Sequence, residues 1–128
     1  MIYLKLLPRF WKTILVLVVI FCLCLIPARE IGKIDFLKLS YEDLAVHLMM
    51  FAGFSSMLFH DLKKNTELAN NMATLSFTVL FFCVLLGITT EILQLLLTSL
   101  HRSGNIMDFL FDMIGSGLGI TGMRLIKQ

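Results

Sequence analysis

Between Met72 and Leu97 the chain runs for 26 residues with a single charged side chain, Glu91. At ~1.5 Å of rise per residue, a helix of that length crosses the ~30 Å hydrocarbon core of a bilayer. Three further apolar stretches accompany it, at about 10–26, 44–60 and 106–125. Spanning takes ~17–25 residues, so the stretch at 44–60 lies at the short end and its flanks must reach for the interface. No period-2 alternation supports a barrel, and backbone polar groups in lipid must be satisfied within their own segment, so the stretches are helices. The expected fold is all-α: one domain over residues 1–128, a bundle of four transmembrane helices, with an outer loop at 27–43.

Composition excludes the main alternatives. The chain is 58% hydrophobic and 16% charged, with a mean hydropathy of +0.88. Soluble domains are ~45–50% apolar and ~25% charged, and a short chain has much surface to cover. A soluble enzyme, a nucleic-acid-binding domain and a disordered protein are therefore excluded, and a net charge of +2 implies no polyanion partner. Cys22, Cys24 and Cys83 lie inside apolar runs without C-x-x-C spacing, and read as small buried hydrophobes. Lys5, Arg9 and Lys12 before an apolar core resemble a signal peptide, but Ile26 spoils the small-residue cleavage pattern before Ala28, so a retained helix is expected.

Basic residues set the expected orientation. Lys5, Arg9, Lys12, Lys63, Lys64, Arg124 and Lys127 fall on one side, seven of the eleven, against Arg29, Lys33, Lys38 and Arg102 on the other. The excess places both termini in the cytoplasm. Residues 98–105 then form a short outer hairpin, which makes the third and fourth helices antiparallel neighbours.

An ionisable group near the middle of a spanning helix costs roughly 2.5–3.5 kcal/mol, so each one calls for a reason. His47 lies about one turn below the outer end of its helix, and Glu91 and Asp112 each lie ~9 Å below theirs. At ~100° per residue, Asp108, Asp112, Gly115, Gly119 and Gly122 share one face of the fourth helix. Cys83, Gly87, Thr90, Glu91, Gln94 and Thr98 share one face of the third by the same count. Small residues admit close helix approach and polar ones bond across it, so these stripes turn inward. The expectation is a bundle packed through Gly87, Gly115, Gly119 and Gly122, with His47, Glu91, Gln94 and Asp112 lining a polar cluster in the outer half. Arg102, in the hairpin, folds down over it. Glu91 is near the C-terminal end of its helix, where the dipole disfavours negative charge, so it needs Arg102 or His47, or a proton. Helix one carries little that is polar after Thr13 and is peripheral.

The remaining polar signals have local explanations. Ser40 to Asp43 and Asn105 to Asp108 read as capping boxes. A divalent cation on mixed oxygen and nitrogen ligands lacks any supporting spacing, so no metal is expected and no cofactor is named. Gly115, Gly117 and Gly119 are mid-helix rather than in a phosphate loop, and Ser99 and Ser103 sit in no nucleophile elbow. A His–carboxylate pair leaves general acid–base chemistry open, with His47, Glu91 and Asp112 as the catalytic candidates.

Several segments together resemble the VanZ-like family: D-L-A-V-H from Asp43 to His47, E-I-L-Q from Glu91 to Gln94, H-R-S-G-N-I-M-D from His101 to Asp108, and D-M-I-G from Asp112 to Gly115. The resemblance runs from about Glu42 to Gly122. Leu44 stands where that family usually has lysine, and Asp112 where it usually has asparagine. The resemblance implies a small multi-pass protein of the bacterial plasma membrane with a link to teicoplanin resistance. It implies Asp43, His47, Glu91, Gln94, Arg102, Asp108 and Asp112 as the ligand-binding positions. The expected partners are membrane lipids, including a lipid-linked cell-wall precursor. Two other readings stand beside this one: an intramembrane enzyme acting on a lipid head group, and a packing subunit of a membrane complex.

Overall fold

The computed structural model describes residues 7–26, 40–97 and 106–126, with the side chains of 40–43 left aside. The described residues form four α-helices: α1 Trp11–Cys24, α2 Ser40–Asn65, α3 Met72–Leu96 and α4 Ile106–Ile126. Short 3-10 turns at Leu7–Arg9 and Glu67–Asn70 precede α1 and α3. The outer loop and the hairpin expected at 27–43 and 98–105 lie almost wholly outside the described residues, and Arg102 with them.

Helix ends follow local chemistry. Pro8 sits in the turn before α1, and Pro27 follows its end, where a proline disfavours helix in the residue before it. The result is 14 residues, ~21 Å, shorter than the stretch expected at 10–26. By contrast α2 begins before and ends beyond the expected 44–60, reaching 26 residues. The apolar run marks only where α2 is greasy; the polar flanks continue the helix, and Lys63 and Lys64 suit its negative C-terminal end. Asn71 caps α3 by accepting from the Ala73 and Thr74 N–H groups at 3.0 and 3.1 Å.

α2 is the central element and touches the other three helices. Phe51, Phe54, Leu58, Phe59 and Leu62 on α2 pack with Ile20 and Cys24 of α1, Leu75, Val79, Cys83 and Leu86 of α3, and Ile120 of α4. The outward faces are also apolar: Phe77, Phe81, Leu85 and Ile92 on α3, and Leu110, Ile114 and Leu118 on α4, are exposed. Large apolar groups on the outward faces, with polar groups such as His47 and Asp112 buried, suit a lipid environment. Two helices, α3 and α4, are long and apolar enough to cross a membrane; α1 is apolar but shorter. The molecule is thus all-helical and membrane-type, and four crossings go beyond these two.

The α2–α4 contact is the most extensive in the molecule. A Cβ on Gly115 would run into the Leu48 carbonyl, and one on Gly119 into the Ala52 carbonyl and the Ser55 hydroxyl. Gly87 on α3 packs similarly against the Phe109 ring, 3.1 Å from where its Cβ would be. Gly122, expected in the same role, makes no such approach: nothing lies within 4 Å of its Cβ position. Crossing helices touch backbone to backbone only near the crossing point, which Gly115 and Gly119 occupy.

Candidate functional site

The close approach at Gly115 acts beside His47, because the carbonyl it meets belongs to Leu48. It brings the α2 and α4 backbones near enough for short side chains to bridge them. His47 Nδ1 lies 2.9 Å from Asp112 Oδ1, with the two side chains 2% and 0% exposed. His47 Nε2 lies 4.0 Å from Asp108 Oδ2, whose side chain is 12% exposed. Asp108 and Asp112 are four residues apart on a helix and so stand one above the other. One imidazole is thus flanked by two carboxylates. With Asp112 ionised, His47 Nδ1–H donates to it, and the trio can hold an imidazolium with a net charge of −1.

Asp112 is only half satisfied. Its Oδ2 is sealed from solvent and has no hydrogen-bond partner among the described residues. Leaving a buried polar atom unpaired costs ~1–3 kcal/mol, and native proteins contain few. The neighbouring polar groups are committed elsewhere. Ser116 Oγ donates to the Asp112 carbonyl at 2.7 Å, and the Cys83 thiol of α3 sits beside Ser116.

The other expected positions are spread around this pair. Gln94 is buried, but its Nε2 donates to the Cys24 carbonyl at 3.3 Å, tying α3 to the end of α1. Glu91 is half-buried with Oε1 shielded from solvent. Gly87 faces Phe109 and Met113, so Glu91, one turn further along α3, is level with the first turn of α4, which carries Asp108. Asp43 lies one turn before His47 on α2, and its side chain is outside the described set. Arg102, expected over the cluster, lies outside the described residues. No three His, Cys, Asp or Glu groups among the described residues are arranged to hold a metal ion.

A second buried aspartate was not expected. Asp61, 3% exposed, accepts from the Thr13 N–H at 3.3 Å and the Thr13 hydroxyl at 2.7 Å through Oδ2. Its Oδ1 lies 3.1 Å from His60 Nδ1, and its carbonyl accepts from Asn65 Nδ2 at 2.8 Å. Asn65 Nδ2 also donates to the Arg9 carbonyl at 3.1 Å. Phe10, at the N-cap of α1, has no capping side chain. Asp61 does that work from the neighbouring helix, taking an orphan N–H of the first turn and placing negative charge at the positive end of α1. The signal was present in the spacing: His47, Phe51, Phe54, Leu58 and Asp61 follow the 3–4 rhythm of one α2 face.

These features define a small helical membrane protein whose largely apolar interior contains buried polar groups and whose central helix pair holds a buried imidazole between two acids. A family model described as VanZ/LLP1 matches residues 10–127, and the chain belongs to that family. No curated protein and no solved structure matches it.

Proposed function

We propose that this VanZ/LLP1 protein crosses the bacterial plasma membrane four times with both termini cytoplasmic. In this reading the His47–Asp108–Asp112 site faces the outer leaflet and binds the polar part of a lipid or a lipid-linked cell-wall precursor. The observation that carries it is the sealed Asp112 Oδ2, without a partner among the described residues, beside a paired His47. A stable fold gains nothing from that orphan acceptor, whereas a hydroxyl or N–H of a ligand would satisfy it. Asp108 is the more exposed member and marks the way in. By the family resemblance Asp43, Glu91 and Arg102 also belong to this site, with Arg102 meeting an anionic group. Altered glycopeptide (teicoplanin) susceptibility is then an indirect readout of the binding.

Native mass spectrometry of gently extracted full-length protein tests this. Wild type is expected to retain a lipid that Asp112→Asn and His47→Ala lose while still melting cooperatively. Equal retention by all three would refute the reading.

One observation favours a second reading. His47 stands between two carboxylates, with Nε2 4.0 Å from Asp108 Oδ2, an arrangement able to pass a proton in general acid–base catalysis. An intramembrane enzyme of this kind turns over the retained lipid, and a binder returns it unchanged. Unfolding of both variants would instead point to a packing subunit.

A further inference from the structure

Asp112 and Arg124 are separated by ~18 Å along α4, at 1.5 Å per residue. At the Arg124 end a groove of about 330 Å³ runs between the first turns of α3 and the last turns of α4. Ala73, Phe77, Leu80, Gly117 and Ile120 form its apolar walls, and Arg124 stands in its lining. Gly117 creates the space. Nothing lies within 4 Å of the position its Cβ would take, so, unlike Gly115 and Gly119, it is not held at glycine by a neighbouring helix. A side chain there would stand in the groove.

The lining selects one kind of occupant. Phe77, 72% exposed, and Leu80 offer an alkyl chain a wall but offer a polar solute nothing. Arg124 is exposed and makes no ion pair among the described residues, and Lys63 and Lys64 close α2. The anion-facing group is the guanidinium rather than the start of α3, because Asn71 already takes the Ala73 and Thr74 N–H groups. The volume is at the low end of the ~300–1,000 Å³ of small-molecule sites, enough for a segment of one chain. We propose that this groove is a binding site for an anionic phospholipid, with one acyl chain along Phe77, Leu80 and Gly117 and the phosphate on Arg124. It is a different site from the His47–Asp112 pair and stands whether or not that pair binds a ligand.

The full chain, in mild detergent with equal amounts of phosphatidylglycerol and phosphatidylcholine, tests the proposal when bound lipid is counted by native mass spectrometry. Wild type is expected to hold phosphatidylglycerol about fivefold over phosphatidylcholine, the preference one surface cation confers. Arg124→Gln brings that ratio to about one. Gly117→Leu and, from the opposite wall, Ala73→Leu remove both lipids from the groove. His47→Ala leaves the Arg124-dependent and Gly117-dependent part of the bound phosphatidylglycerol in place, which separates this site from the proposed function. Glycerol 3-phosphate at equal concentration displaces nothing, because the chain supplies much of the binding. Equal retention of the two lipids by wild type would overturn the proposal. So would retention undiminished in both blocking variants, or displacement by glycerol 3-phosphate.

Discussion

Asp61 and Asp112 are both almost fully buried, and both meet a histidine, yet their surroundings differ in one respect. Both oxygens of Asp61 are engaged, Oδ2 by the Thr13 N–H and hydroxyl and Oδ1 by His60. Asp112 uses Oδ1 on His47 and leaves Oδ2 sealed from solvent, with no hydrogen-bond partner among the described residues. A saturated carboxylate at a helix start is a structural device: it caps α1 and joins it to α2. A carboxylate with an unsatisfied acceptor contributes less to the fold than its burial costs, a deficit that the proposed ligand would offset. The two halves of the bundle thus assign their acids differently, although composition alone treats them alike.

The comparison breaks most severely at the helix crossing. Gly119→Leu forces a side chain into the Ala52 carbonyl and Ser55 and is expected to cost at least ~3 kcal/mol, enough to part α2 from α4. Thermal melts in detergent check this; a cooperative melt near the wild-type temperature would mean the helices are not held by that contact. Next, Asp61→Ala leaves the Thr13 donors without their acceptor and removes the cap of α1. The expected loss is about 2–3 kcal/mol, seen as faster proteolysis near α1 with the Asp112 region unchanged. Smaller still, Gln94→Leu drops the bond to the Cys24 carbonyl and should cost ~1 kcal/mol, read from the same melts. It loosens α1 from α3 and should leave lipid retention at the His47 site more nearly intact than His47→Ala does.

The fold was legible where periodicity and chemistry agree. Asp108, Asp112, Gly115 and Gly119 fall on one face by simple helical phase, and the structure turns all four inward. The same phase count on α3 found Gly87, Thr90 and Gln94. Hydropathy alone misled about lengths: Pro8 and Pro27 shorten α1, while the polar ends of α2 extend it past its apolar run. Gln94 has the phase of the inner cluster, but phase does not say which neighbour a side chain meets; docking of α1 decides that. Gly122 has the right phase and the wrong level. The role of Asp61 is hidden in the sequence because it sits beside Lys63 and Lys64, where an acid looks like part of a charged helix end. Only the uncapped Phe10 across the helix pair explains it, and that pairing is tertiary.

The central claim is that the Asp112 carboxylate serves a ligand, whereas the Asp61 carboxylate serves the fold. Isosteric Asp→Asn changes at the two positions, melted side by side in delipidated full-length protein, test it most directly. Asp61→Asn puts an NH₂ where an acceptor is needed and should lose ~1–2 kcal/mol, a drop of several degrees. Asp112→Asn keeps an acceptor for His47 Nδ1–H and should stay within ~1 kcal/mol of wild type. A larger loss at Asp112 than at Asp61 would contradict the account.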